Sequence, residues 1–183
     1  MPAEREKIEL KDIHIERITE KHKATIKTFQ SYEKELVDFL VEDALDNQNN
    51  KISVTYLWFY KKTSELVGYI TVLTDAINLQ GDLKRFFREK GIYYKSLPAL
   101  KIGRLCVTDS YLRRGIGPLM IHFAIHISER IGSNAGVRFI TTDAKRNSDS
   151  SKDSIHFYKP LGFEILKERV KGTTPMFKDL IQK

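Results

Sequence analysis

The chain has 183 residues, 41% of them hydrophobic and 30% charged, with a single cysteine and a net charge of +7. That length predicts one domain spanning residues 1–183, able to bury about 70% of its unfolded surface without a disulfide or metal staple. No apolar run approaches the roughly 18 residues of a membrane span, the charged N-terminus has no secretory core, and Cys106 alone forms no internal disulfide. A membrane protein, a secreted disulfide scaffold and a long disordered chain are therefore excluded, and a cytoplasmic protein is expected.

The charge is uneven. Residues 1–50 carry −4 and residues 51–183 carry +11. A basic two-thirds attracts polyanions such as nucleic acid or a phosphorylated cofactor, and it also serves plain solubility.

Weak alternation in the first 30 residues predicts one strand. Ser31 to Leu45 reads as a helix, with Leu36, Val37, Leu40, Val41 and Ala44 at helical spacing. Glu33 and Glu35 suit its first turn, where the helix dipole favours anions. Ile52–Tyr60 and Leu66–Leu73, joined by a Lys-Lys-Thr-Ser-Glu turn, read as an antiparallel hairpin. Asp82 to Lys90 reads as a short helix stopped by Gly91. A strand follows at Ala99–Val107, then a helix at Pro118–Ile131, with proline near its first turn, where a missing N–H costs nothing. Val137–Thr142 reads as a strand and Ser151–Tyr158 as a short helix. A strand at Phe163–Leu166 and a last one within Lys171–Leu180 complete the chain. The polar cluster Asn147–Ser154 is a loop or a helix start. This order predicts an α/β (α+β) fold, a mixed sheet with helices on both faces.

The informative segment is Leu105 to Phe123. A strand ends at Val107, and Arg113-Arg114-Gly115-Ile116-Gly117 opens a helix. Helix N-termini present unpaired N–H groups and partial positive charge. Gly115 and Gly117 remove side chains that would block a phosphate, and Arg113 and Arg114 add charge at the rim. The pattern is that of a pyrophosphate cradle. A dinucleotide fingerprint needs a third glycine, yet Pro118, Leu119 and Met120 follow Gly117. No Gly-Lys-Ser/Thr is present, so this is not a nucleotide-hydrolysing P-loop.

The segment resembles motif A of the GNAT superfamily of acetyl-CoA-dependent N-acetyltransferases, Gln/Arg-x-x-Gly-x-Gly/Ala after a strand. Leu112 stands in the Gln/Arg place, with Arg113 one residue along. His156 to Phe163 resembles the family's Phe-Tyr-x-x-x-Gly-Phe ending. Leu66-Val67-Gly68-Tyr69-Ile70 resembles the preceding hairpin strand. The resemblance covers roughly residues 30–167. It implies a mostly antiparallel central sheet with a splay between two strands. Three stretches are similar to the superfamily's tRNA-acetylating toxins: Ala44 to Phe59, Pro98 to Leu105, and Thr142-Asp143-Ala144-Lys145.

By this resemblance, the backbones of Leu105, Cys106 and Val107 bind the pantetheine arm of acetyl-CoA. The N–H groups of Arg113, Arg114, Gly115, Ile116 and Gly117 hold its pyrophosphate. Tyr158 matches the family's general acid, which protonates the leaving thiolate; read alone, a Tyr beside Phe157 at a helix end is packing. Asp75, Asp109, Asp143 and a water-relayed base are unranked candidates for taking the amine proton. Cys106, between Leu105 and Val107, reads as core or cofactor wall rather than nucleophile. His122 and His126 lack a third ligand and read as solvated helix surface, so no metal is expected. Trp58, Tyr56 and Tyr60 at strand spacing read as a sheet face, with base stacking as the alternative.

The leading expectation is an N-acetyltransferase acting on a primary amine. The alternatives are toxin-like acetylation of aminoacyl-tRNA, with a small DNA-binding antitoxin as partner, and a non-catalytic acyl-CoA or nucleic-acid binding module. The apolar C-terminal strand leaves pairing with a second subunit open.

Overall fold

The computed structural model describes residues 6–147, 153–169 and 171–181. Two compact units emerge, Met1–Leu73 with Ile102–Ala124, and Thr74–Lys101 with Ile125–Lys183. The strands are β1 (Ile13–Arg17), β2 (Val54–Tyr60), β3 (Glu65–Asn78), β4 (Ser96–Val107), β5 (Phe139–Lys145), β6 (Glu164–Ile165) and β7 (Thr173–Asp179). The α-helices are α1 (Lys23–Ile26), α2 (Lys34–Asp38), α3 (Ala44–Asn49), α4 (Gly81–Glu89), α5 (Ile116–Gly132) and α6 (Ile155–Tyr158). The seven strands belong to one sheet, and β3, β4 and α5 each run through both units. Among the described residues no helix is long and apolar enough to cross a membrane.

In the first unit the strand order is β1-β2-β3-β4. β1 runs antiparallel to β2 from Ile13↔Tyr60 to Arg17↔Tyr56. β2 runs antiparallel to β3, with an irregularity at Trp58/Phe59. Period-2 alternation then sorts the side chains. Leu57, Tyr69 and Cys106 pack with Ile18, Ile26, Phe29, Leu40 and Ala44. On the opposite sheet face, Tyr56 and Trp58 meet Phe123 of α5 edge-on at 4.9 and 5.6 Å. Leu40 and Leu57 are fully buried, each contributing about 1.5–3 kcal/mol relative to exposure. Trp58 is likewise sealed in this core, so its ring has no free face for a base.

The helix expected over Ser31–Leu45 begins only at Lys34 and continues to Asn49, with a π-helical segment over Phe39–Asp43. The Tyr69 hydroxyl donates to the Leu36 carbonyl at 2.6 Å. An outside donor on a helix carbonyl is one cause of a widened turn. Gly68 marks a close approach, since a Cβ there would sit 2.5 Å from Met120 Cε and 2.7 Å from the Cys106 carbonyl oxygen.

In the second unit the order is β3-β4-β5-β7-β6. β5 pairs antiparallel with β7 from Phe139↔Asp179 to Lys145↔Thr173. The strand expected at Val137–Thr142 is displaced toward the C-terminus. Arg138 N–H donates to the Pro98 carbonyl, and its guanidinium forks onto Asp179 at 2.9 and 2.8 Å. At its far end β5 continues past the apolar run, because Asp143 pairs with Lys101 at 2.7 Å. α4 packs Leu83, Phe86 and Phe87 onto Ile77, Leu79, Ala99, Phe139 and Phe177. Gly91, at φ +74°, ends that turn as expected. β7 lies between β5 and the two-residue β6, so both its edges are taken at Met176 and Phe177. The expected helix start at Ser151 lies outside the described residues; α6 itself begins at Ile155.

Candidate active site

The loop between β4 and α5 is held in place by bonds to the backbone of neighbouring segments. Thr108 N–H donates to the Val67 carbonyl at 3.0 Å, and Thr108 Oγ1 donates to the Gln30 carbonyl at 2.7 Å. Asp109 accepts the Tyr32 N–H at 3.2 Å. This candidate base therefore serves as a loop anchor. Arg113 adopts φ +61° and Gly115 φ +87°. Two left-handed residues two apart reverse the chain into α5, at a cost that only glycine avoids. Apart from bonds within the helix, no backbone N–H from Arg113 to Gly117 donates to another backbone group among the described residues.

The two arginines of the loop have different surroundings. Arg114 lies over the Tyr111 ring at 4.8 Å and the Tyr60 ring at 5.6 Å. Its Nε donates to the Glu6 carbonyl at 3.0 Å, and its own carbonyl accepts Ile8 N–H at 2.9 Å. The platform beneath it is fixed, because the Tyr111 hydroxyl donates to Glu65. The Arg113 side chain is exposed. Ile116 is buried and Gly117 half-buried at the start of α5. Leu105 and Val107 are half-buried on β4, flanking Cys106, which is 4% exposed. Burial pushes the Cys106 thiol up to about 11. A thiol that stays protonated at neutral pH is no nucleophile, and Cys106 is a core residue.

Tyr158 lies in the second unit, at the end of α6. Its ring meets Phe157 at 4.9 Å and Phe163 at 5.3 Å, both edge-on. Thr142 on β5 is the polar neighbour that acts on its hydroxyl. Burial raises the phenol above its ordinary value, and Thr142 pulls back against that rise. The group is therefore protonated at neutral pH, as a proton donor must be. Gly162, at φ +84°, turns the chain so that Phe163 N–H reaches the Tyr158 carbonyl at 3.3 Å.

A polar clamp positions α6, and it carries no motif that marks it in the sequence. Asp153, buried just before the helix, accepts Asn147 N–H and Arg146 Nη1. These bonds, the Asn147 N–H foremost, hold its carboxyl below the usual range. Arg146 also donates to Thr174 Oγ1 at 2.9 Å and to Glu168 at 3.1 Å. Ser154 N–H donates to the Lys145 carbonyl at 3.0 Å. The end of β5, the start of β7 and the start of α6 are thus tied through one guanidinium.

Thr142 also lines a cavity of about 940 Å³ in this unit, with Asp75, Lys101, Thr141, Asp143 and Phe86 on its walls. Asp75 accepts the Thr141 hydroxyl at 2.6 Å and the Ala76 N–H at 2.8 Å. Of the candidate bases, then, Asp75 and Asp143 share this cavity, and Asp143 is ion-paired to Lys101. The histidines expected at the surface of α5, His122 and His126, are exposed.

The chain matches the family model described as the acetyltransferase (GNAT) family over residues 20–163. Several solved structures share its fold. The toxin AtaT in complex with acetyl-methionyl-tRNAfMet is 22% identical with a TM-score of 0.74, covering 92% of this chain and 95% of that one. A tyrosine-to-phenylalanine mutant of AtaT, bound to acetyl-CoA and the C-terminus of the antitoxin AtaR, is 20% identical with a TM-score of 0.71, covering 92% and 94%. A tyrosine-to-phenylalanine mutant of KacT is 21% identical with a TM-score of 0.75, covering 92% and 95%.

Proposed function

The chain belongs to the acetyltransferase (GNAT) family, and from that premise we propose that it moves an acetyl group from acetyl-CoA to a primary amine by direct attack. In this reading residues 1–183 work as one cytoplasmic acetyltransferase domain, with β4 splayed from its neighbour beside the pantetheine arm. The cradle suits the ligand. The Arg113 to Gly117 N–H groups are available, no side chain stands at Gly115 or Gly117, and Arg113 is an exposed cation at the rim. The pyrophosphate would lie on those N–H groups, and the pantetheine along Leu105, Cys106 and Val107. Acetyl-CoA supplies the activated thioester.

The observation that supports the reading is the Tyr158 phenol, buried at the end of α6 between Phe157 and Phe163, where burial favours its protonated form. As the amine nitrogen bonds to the acetyl carbon and the carbon–sulfur bond breaks, Tyr158 gives its proton to the departing sulfur. The nitrogen loses its proton to a carboxylate or a water. A buried donor aimed at developing charge works best where water is excluded.

Aminoacyl-tRNA is the acceptor this reading favours. The charge of +11 over residues 51–183 suits a polyanion, and the AtaT complex with an acetylated aminoacyl-tRNA has the same fold. An antitoxin partner follows from the same likeness. The test is transfer of labelled acetyl from acetyl-CoA to charged tRNA, a basic peptide and polyamines, with uncharged tRNA as control. Label on charged tRNA alone is expected. Label only on peptide or polyamine overturns the tRNA acceptor and keeps the transferase. Acetyl-CoA binding with no transfer to any acceptor overturns the catalytic reading in favour of a binding module.

A further inference from the structure

α4 has a solvent face that the proposed transferase chemistry does not use. Leu83, Phe86 and Phe87 turn inward, which leaves Lys84, Arg85 and Arg88 exposed on the outer face within about one turn. Lys84 and Arg88, four apart, lie one above the other. Arg85 touches Asp82 at 2.7 Å, but that pair is wholly at the surface and exchanges readily for another anion.

The chain then turns at Gly91 and tucks Ile92 back under the helix, its N–H on the Phe87 carbonyl at 2.9 Å. This fixes the next two side chains outward. Tyr93 and Tyr94 are 75% and 73% exposed, the most exposed pair of adjacent large hydrophobic residues among those described. Lys95 follows, also exposed, its carbonyl pinned by Leu79 N–H at 2.9 Å. Two neighbouring aromatic rings left in water, beside four cations on a braced segment, form an interaction surface with a definite chemistry. Flat rings stack on bases, and regularly spaced cations neutralise phosphates. An acidic peptide would satisfy the cations but give the paired rings no flat partner.

We propose that the outer face of α4 with Tyr93, Tyr94 and Lys95 is an RNA-binding surface. It rests on the reading of tRNA as the bearer of the acceptor amine. The cations grip phosphates on one side of the RNA, and the tyrosines stack unpaired bases. The inner edge of the same helix borders the 940 Å³ cavity at Gly81, Asp82, Leu83 and Phe86, so RNA held here lies at that cavity's rim.

The test is binding of uncharged total tRNA and of a short single-stranded RNA across a salt series, with acetyl-CoA affinity and thermal unfolding measured in parallel. The variants are the triple Lys84→Gln, Arg85→Gln, Arg88→Gln and the double Tyr93→Ala, Tyr94→Ala, all at exposed positions. The triple variant should weaken tRNA binding roughly tenfold or more and lower the log–log salt slope by about 2–3. The tyrosine variant should weaken the single-stranded RNA roughly tenfold with little change in slope. Acetyl-CoA affinity and unfolding should match the parent. Parental RNA binding by both variants overturns the proposal, as does a parent chain that binds an acidic peptide through these residues and no RNA. Because the probe is uncharged, the outcomes separate. Label on charged tRNA with unaffected variants sinks this surface and leaves the acceptor reading standing. Weakened variants with label only on peptide do the reverse.

Discussion

The loop over Thr108–Gly117 and the surroundings of Tyr158 are two halves of one proposed chemistry, built in opposite ways. The loop is a main-chain device. Its anchors all end on backbone groups of neighbouring segments, its turn needs left-handed residues at Arg113 and Gly115, and the groups proposed to face the ligand are N–H donors. The Tyr158 region is a side-chain device. Thr142 and Phe163 join the Phe157–Tyr158 pair from other segments, Arg146 and Asp153 brace the start of the helix, and each position is chemically ordinary alone. A main-chain site is written as the absence of side chains, which shows as glycine spacing. A side-chain site is written in pairings that the sheet register makes.

The largest effect should come from breaking the side-chain half at its reacting atom. Tyr158→Phe removes the proton donor while keeping the ring between Phe157 and Phe163. The expected result is a fall in kcat of about 10²–10⁴, with acetyl-CoA affinity unchanged. Since burial raises the phenol, the parent should stay protonated past the ordinary value, and any alkaline limb due to this group should lie above pH 10. A variant turning over at the parental rate would reduce Tyr158 to packing.

Next comes the support beneath the main-chain half. Gly68→Ala places a Cβ against the Cys106 carbonyl, where the close neighbour is backbone and cannot rotate away. Met120 Cε can move, but the carbonyl must shift with its strand. Chemical denaturation should show a loss of about 1–3 kcal/mol, the usual cost of overpacking. An unchanged midpoint would mean that β3 and β4 separate more easily than their contact implies.

Legibility divided along the same line. The hairpin, α4, α5 and the glycine loop were readable, because turns, caps and glycines are local signals. Tyr158 was readable only through resemblance to a family ending; nothing in the spacing of Tyr158 alone separates an acid from a packing residue. The π-helical segment at Phe39–Asp43 was not readable, since the apolar spacing there fits an ordinary helix, and the Tyr69 hydroxyl on the Leu36 carbonyl just before it comes from 33 residues away. The Arg146–Asp153 clamp was hidden for a similar reason. Its charges sit in a polar stretch that reads as solvated loop, and only the placement of Thr174 and Asn147 around them turns charge into structure. The candidate bases could not be ranked because their partners are equally remote: Lys101 for Asp143, Thr141 for Asp75, Tyr32 for Asp109.

The smallest predicted effect separates two residues that the sequence treats alike. Arg113 and Arg114 are adjacent and both precede Gly115, and charge alone gives them one role at the rim. Arg114, however, spends its guanidinium on the faces of Tyr111 and Tyr60 and on the Glu6 carbonyl. Arg113 is exposed, with its backbone already left-handed. Arg114→Ala should therefore cost stability, about 1 kcal/mol for a cation–π and hydrogen-bonded contact at a half-exposed site, with KM for acetyl-CoA near the parental value. Arg113→Ala should leave unfolding unchanged and raise that KM by about fivefold, the scale of one solvent-screened charge on a phosphate. Kinetics and thermal unfolding on both variants decide it. Equal KM increases would mean that Arg114 leaves its aromatic platform when the ligand arrives, and both arginines would then serve the rim.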